Sequence, residues 1–308
     1  MSFSAETKAE LCRAKIEKKC CAVAECYGVL LYGNTFSSRE IRIITASPDF
    51  AARLPRLFRR AFSLGFDSQP AAGKRGKGTF LITDPEKLDH IARSFGTAPE
   101  EMLRHHLNYG VIEDDCDRLA FLRGAFLAGG SVTDPEKRYH LELATGHASV
   151  SREACALLRD MGLSPKEAMR GRSSLLYFKQ ADYIADFFAV IGASAASMAM
   201  ITAKVEKEMR NTVTRQINCD SANADKVVAA AQEQIEAIRR IGAEYGLDAL
   251  PDPLRDAALL RITNPEASLA DLAQLSCPKV TKSTLSYRLK KIMSFVPREE
   301  EDTDENAF

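Results

Sequence analysis

The amino-acid sequence predicts an α+β protein in which two tandem α/β units of similar pattern precede a small all-α domain. Three observations lead there. A glycine-spaced apolar helix occurs twice at a fixed offset, each copy is followed by the same alternation of strands and helices, and the residues after Gly246 hold only short helical segments.

The later copy of the repeated helix is Leu119 to Val132, LAFLRGAFLAGGSV. Its small residues Gly124, Ala125, Ala128 and Gly129 are spaced so that a second helix backbone can come to, or inside, the usual separation of about 8 to 10 Å. The earlier copy, Ala24 to Phe36 (AECYGVLLYGNTF), carries Gly28 and Gly33, and the residues 96 further on are Gly124 and Gly129. Because the offset persists along the chain, it marks a repeat rather than a coincidence of composition.

Alternating strands follow each copy, IRIITA from Ile41 and YHLELAT from Tyr139, with apolar side chains at every second position. Helices come next, Phe50 to Leu64 and Ser151 to Met161, expected to close on left-handed glycines at Gly65 and Gly162. Second strands start at Thr79 and Ser174, and the last helix of each unit ends at Gly96 or Gly192. Neither unit covers its own sheet alone, so the two are expected to pair through their small-residue helices. The expected boundaries are 1–96 and 97–203 for the units, 204–245 for a helical linker, 246–297 for the all-α domain and 298–308 for an acidic, disordered tail.

A chain of 308 residues has room for about two domains and a substantial core. Its 42 basic and 42 acidic residues exclude a polycation, so any nucleic-acid surface must be a local patch. No run of about 18 apolar residues occurs and the N-terminus is polar and charged, which predicts a soluble, cytoplasmic protein without a membrane partner. The eight cysteines show no C-x-x-C spacing, so reduced thiols are expected in preference to a zinc site or a disulfide framework. Neither a metal nor a cofactor is expected.

Several segments have local readings. Residues 1 to 25 read as one helix whose Lys8, Lys15, Lys18 and Lys19 make a solvated basic side. The loop Gly73 to Gly78 lacks G-x-x-x-x-G-K-[ST] and opens no helix, so it reads as a hairpin tip, with Lys74, Arg75 and Lys77 as candidate DNA-backbone contacts. His105 and His106, on an expected helix Pro99 to Leu107, point about 100° apart and cannot share a metal, so they read as surface residues. Asp134 to Lys137 reads as a β-turn. Lys204 to Ile241 reads as helical with a break at Asn218 to Asn223, followed by an apolar stripe of Val227, Val228, Ala231, Ile235, Ile238 and Ile241.

The last domain predicts a helix at Leu254 to Arg261 and another at Leu269 to Leu275, capped by Ser268 and Asp271. A turn then leads to a third helix beginning at Thr281, with Leu285, Leu289 and Ile292 facing inward. Three short helices in this order make a helix-turn-helix, whose last helix enters the DNA major groove. Lys282, Ser283, Ser286 and Tyr287 are expected to read bases, and Arg288, Lys290 and Lys291 to hold phosphates. Lys279 adds charge, and Thr281 and Ser283 lie where free helix N–H groups favour phosphate. The segment is locally basic: Arg255, Arg261, Lys279, Lys282, Arg288, Lys290 and Lys291 outnumber Asp256, Glu266 and Asp271.

Residues 28 to 35 and 124 to 131 resemble the dodecapeptide helices of LAGLIDADG homing endonucleases. That resemblance implies two LAGLIDADG-like α/β units forming a pseudo-symmetric saddle, with a carboxylate at the end of each helix, binding Mg²⁺ for phosphodiester cleavage. The matching positions here are Gly33 and Gly129, so they are degenerate and no catalytic residue is expected; Asp49, Asp67, Asp84 and Asp134 lie elsewhere in the units.

Four further segments extend the likeness: Ser2-Phe3-Ser4, Asn218 to Asn223, Leu250-Pro251 with Leu254, and Lys282-Ser283 with Arg288-Leu289. Together with the two units and the helix-turn-helix, they resemble the bacterial WhiA family along nearly the whole chain. The resemblance implies a sequence-specific, non-enzymatic transcription regulator, nucleoid-associated and bound to double-stranded DNA. Its implied roles are cell division and chromosome segregation, with sporulation in some relatives, and a transcription factor or RNA polymerase is the implied protein partner. Two alternatives stay open, a divergent Mg²⁺-dependent endonuclease using unaligned acids and a protein-docking scaffold.

Overall fold

The computed structural model describes residues 2–71, 76–97 and 105–295. It divides into two compact units, Met1–Glu208 and Met209–Phe308. No helix among the described residues is long and apolar enough to cross a membrane.

The first unit opens with two helices where one was expected, α1 (Phe3–Cys12) and α2 (Lys19–Leu31). The break follows from the buried Arg53 guanidinium, which takes the carbonyls of Cys12 at 3.1 Å and Ala14 at 2.6 Å, so they are not available to a continuing helix. Lys8 is not on a solvated basic side. It donates to the Leu127 carbonyl at 3.1 Å and lies 5.7 Å from the centre of the Phe126 ring.

After α2 come β1 (Thr35–Phe36), β2 (Ile41–Thr45), α3 (Pro48–Phe62), β3 (Gly78–Ile82) and α4 (Pro85–Ser94). The strands form an antiparallel sheet in the order β1-β2-β3, with Ile43 opposite Phe80. The second copy repeats the plan with α5 (Asp115–Gly129), β4 (Gly130–Val132), β5 (Leu141–Thr145), α6 (Ala148–Asp160), β6 (Lys166–Arg170), β7 (Ser173–Phe178) and α7 (Ala181–Ile191). Its sheet runs β4-β5-β7-β6, also antiparallel. Strand β6 (KEAMR) is exposed along its length, so no buried face stamped an alternation on the sequence. In the first copy its place is held by a single bridge, Ser68 to Leu81.

Gly96, Gly162 and Gly192 take positive φ at 67°, 80° and 91° and end their helices as expected. Gly65 does not: α3 is closed by Ser63 at φ 59°. The Phe66 ring must return to pack 4.5 Å from Phe58 and 5.0 Å from Phe80, and that reversal comes before Gly65. Lys137 N–H donates to the Asp134 carbonyl at 3.0 Å, closing the expected turn.

The expected helix at Pro99 to Leu107 falls mostly outside the described residues, and residues 105–107 are not helical. His105 is half-buried rather than superficial, stacked on Phe36 at 5.2 Å and edge-on to His147 at 4.2 Å.

The helices α2 and α5 form the centre of this unit. A Cβ placed on Gly28 would lie 2.1 Å from the Phe121 carbonyl oxygen, and one on Gly124 would lie 2.1 Å from that of Glu25. Phe121 is 96 residues beyond Glu25, so the contacts are reciprocal under the repeat. Both glycines are needed because backbone touches backbone. One apolar core surrounds them, running from Leu11 to Met200.

Helix α8 (Ser194–Glu244) is a single element, with no break at Asn218 to Asn223. Residues 211–230 are all exposed, and at the expected break Asn223 Nδ2 meets Cys219 Sγ one turn back, at 3.7 Å, instead of competing for a backbone bond. The expected apolar stripe is shorter than anticipated. Val227 and Val228 are exposed, while Ala231, Ile238 and Ile241 are buried. A 3₁₀ turn (Leu247–Ala249) then leads to α9 (Asp252–Thr263), α10 (Leu269–Leu275) and α11 (Lys282–Met293). Their own core comprises Ile238, Ile241, Leu250, Ala257, Ala258, Leu272, Ala273, Leu285, Leu289 and Ile292.

Candidate nucleic-acid interface

In the second unit, α10, a turn and α11 make the helix-turn-helix. Ser268 starts α10 through a reciprocal capping box, its Oγ accepting from Asp271 N–H while Asp271 accepts from Ser268 N–H, both at 3.3 Å. Thr281 starts α11 by accepting from Thr284 N–H at 3.2 Å. Leu285, Leu289 and Ile292 are buried, and this period fixes the face that α11 turns outward.

On the outward face, Lys279, Thr281, Lys282, Ser283, Tyr287, Lys290 and Lys291 are exposed, and Ser286 and Arg288 are half-buried at its flanks. Lys291 Nζ sits 5.5 Å from the Tyr287 ring centre, a cation–π contact that ties one basic side chain to the aromatic. The Thr281 hydroxyl is committed to its helix.

Two arginines of the expected basic patch are committed elsewhere. Arg261 is buried, donating to Gln234 Oε1 at 3.0 Å and to the Ala267 carbonyl at 2.7 Å. Arg255 pairs with Asp252 at 2.7 Å. The exposed basic side chains of the expected patch that remain are on α11 and the turn before it.

In the first unit, Lys77 is exposed, while Lys74 and Arg75 lie outside the described residues. Gly33 and Gly129 follow or end the paired helices. A side chain at 129 would put its Cβ 2.3 Å from the Ala144 carbonyl oxygen and 3.1 Å from that of Tyr32. At 33 the Cβ would lie 2.7 Å from the Val29 carbonyl oxygen. Neither position can receive a carboxylate without backbone movement.

Several acids elsewhere in the two copies have structural partners. Asp84 caps α4, Asp134 accepts from Glu136 N–H at 2.9 Å, and Glu142 holds Arg170 through two bonds at 3.0 and 2.6 Å. Asp67 pairs with Lys87 and accepts from the N–H groups of Thr83 and Asp84. Although partial burial opposes ionisation, these partners outweigh it and bring the carboxyl down to about 2.

At the opposite end of the same two helices, Cys20, Cys21, Cys116 and Asp117 converge. They carry no C-x-x-C signature, but the repeat offset relates them, since it maps Cys20 to Cys116 and Cys21 to Asp117.

The WhiA C-terminal HTH domain model matches residues 213–296, and the WhiA LAGLIDADG-like domain model matches residues 118–210. A probable cell division protein WhiA from Desulfitobacterium hafniense is 36% identical, over 98% of this chain and 98% of its own. One from Ruminiclostridium cellulolyticum is 34% identical over 97% and 98%. The chain belongs to the WhiA family. The crystal structure of full-length DUF199/WhiA from Thermatoga maritima matches with a TM-score of 0.61 at 26% identity, over 96% of this chain and 97% of that one. WhiA thus joins a LAGLIDADG-like domain of mixed helix and sheet to a C-terminal helix-turn-helix, and its curated relatives are named for cell division, not for an enzymatic activity.

Proposed function

We propose that this WhiA-family protein is a sequence-specific, double-stranded-DNA-binding regulator acting in cell division, and that it recognises DNA through α11. The observation that carries this reading is the division of α11 into a buried apolar stripe and an outward face bearing Lys282, Ser283, Tyr287, Lys290 and Lys291. Lys282, Ser283, Ser286 and Tyr287 meet base edges, and Arg288, Lys290 and Lys291 meet phosphates, with Lys279 at the approach. Transcription regulation, and through it chromosome segregation, is the role that fits such a reader, with nucleoid association as its consequence. Sporulation is the corresponding role in relatives that form spores. A transcription factor or RNA polymerase is the partner class such a regulator needs, and the LAGLIDADG-like domain is the surface left for it.

The test is binding of the full-length protein to genomic fragments selected by the protein itself, titrated across salt concentration. Lys282→Ala combined with Arg288→Ala should weaken binding and flatten the salt dependence by roughly 0.9 in log–log slope for each phosphate no longer neutralised. Unchanged affinity and slope would remove α11 from the interface. The same protein incubated with supercoiled plasmid and Mg²⁺ or Mn²⁺ should leave it intact, because positions 33 and 129 have no room for a carboxylate. Nicking would restore the endonuclease reading.

A further inference from the structure

The four side chains at the N-terminal ends of α2 and α5 form a site of their own. Cys20, Cys21, Cys116 and Asp117 each offer one ligand atom, and all four atoms lie within 4.8 Å of one another. Cys20 and Cys21 occupy the first turn of α2, Cys116 and Asp117 the first turn of α5. Adjacent side chains leave a helix about 100° apart, yet here the donor atoms of each adjacent pair turn toward each other, to 4.0 Å on α2 and 3.6 Å on α5, because both pairs face the neighbouring helix end. Under the 96-residue offset Cys20 corresponds to Cys116 and Cys21 to Asp117, so each repeat contributes the same two positions to one cluster.

The dimensions suit a tetrahedral ion. Zn–S bonds of about 2.3 Å set tetrahedral sulfur–sulfur spacings at about 3.8 Å, and Cys20 Sγ is 4.0 Å from Cys21 Sγ. Cys116 Sγ is 3.6 Å from Asp117 Oδ1. Asp117 is buried and accepts from the Cys116 thiol, so its carboxylate already faces the sulfurs at ligand spacing. Thiolate donors select a zinc-class ion over Mg²⁺. Two helix N-termini converge here as well, and their partial positive charges offset part of the negative charge that three thiolates and a carboxylate leave on a dication.

We propose that this tetrad binds one Zn²⁺ and clamps the two repeats together at the ends of their central helices opposite Gly33 and Gly129. Each cysteine S–H passes its proton to solvent as its S–Zn bond forms, and no oxidation state changes. With four protein ligands the site is closed, which makes it structural, and its location separates it from the Mg²⁺ position that the endonuclease likeness implies. Cys20 is exposed and gives the ion its entry.

The experiment uses full-length protein kept reduced. Metal analysis should find about one zinc per chain, and Co²⁺ should replace it with thiolate charge-transfer bands and the intense visible bands of a tetrahedral site. Zn²⁺ added to metal-free protein should raise Tm. Cys20→Ser with Cys116→Ser should lose the zinc, the Co²⁺ bands and the Tm response, whereas Cys219→Ser, on the exposed part of α8, should keep all three. Cys20→Ser alone, at an exposed position, should keep the fold by circular dichroism and still bind zinc more weakly. Wild-type protein that takes up neither ion, or Co²⁺ bands that survive in the double variant, would each overturn the site.

Discussion

Gly28 and Gly124 show what a missing methyl group does. Each lets the facing helix bring a carbonyl oxygen to 2.1 Å from where a Cβ would sit, so Gly124→Ala must push α2 and α5 apart. A cost of about 1 to 3 kcal/mol is expected in denaturant unfolding, and an unchanged midpoint would contradict the backbone contact. Glu25, in the same seam, is buried against Arg53 through bonds of 2.6 and 2.8 Å, with Arg123 at 3.5 Å. Glu25→Ala leaves an unpaired buried guanidinium and should cost about 3 to 5 kcal/mol. The glycines were legible because their spacing repeats. Glu25 was not, since its repeat mate is Phe121 and its partner lies 28 residues away on another helix.

His105 adds a pH dependence at the same scale. Burial, then the neighbouring His147, push its pKa from 6.5 down to about 4, against a backbone hydrogen bond that favours the charged form. The unfolded chain takes up a proton below about 6.5, while the folded one waits until about 4. The stabilisation is therefore present above 6.5 and declines as pH falls through that window. Unfolding midpoints measured from pH 7 to 4 should fall less steeply for His105→Gln than for the parent chain. Equal slopes would place His105 in solvent.

At the scale of elements, capping chemistry could be read directly. Ser268 and Asp271 form the reciprocal box their spacing implies, and Ser268→Ala should cost about 1 kcal/mol, read by thermal unfolding of the C-terminal unit. Helix α8 was misread because Asn, Asp and Ser mark breaks only when their side chains turn back to the backbone. Here they point outward along residues 211–230. Ala222→Pro should interrupt that run at a cost of about 3 kcal/mol in helix propensity and reduce the far-ultraviolet helical signal; an unchanged signal would restore the break. Strand β6 stayed hidden for the converse reason, because pairing with β7 holds it by backbone bonds while all five of its side chains face solvent.

At the scale of the molecule the described residues form two hydrophobic cores, one within Leu11–Met200 and one within Ile238–Ile292. Heating should resolve two transitions. Leu289→Ala, at the centre of the smaller core, should lower only one of them, by about 2 to 5 kcal/mol. A single transition displaced as a whole would mean that the units unfold together. The repeat and the helix-turn-helix were legible because periodicity and offset are properties of a single sequence. The cysteine–aspartate cluster was not, because it exists only once two helices lie side by side.

The crowding at Gly129 bars more than a bulky side chain. Aspartate introduced there would meet the Ala144 carbonyl oxygen before it reached any ion, so strand β5 would first have to give way. Placing a carboxylate at position 129 would take coordinated changes on two elements. A single substitution is closed off by the same close approach that lets the sheet lie against its helix.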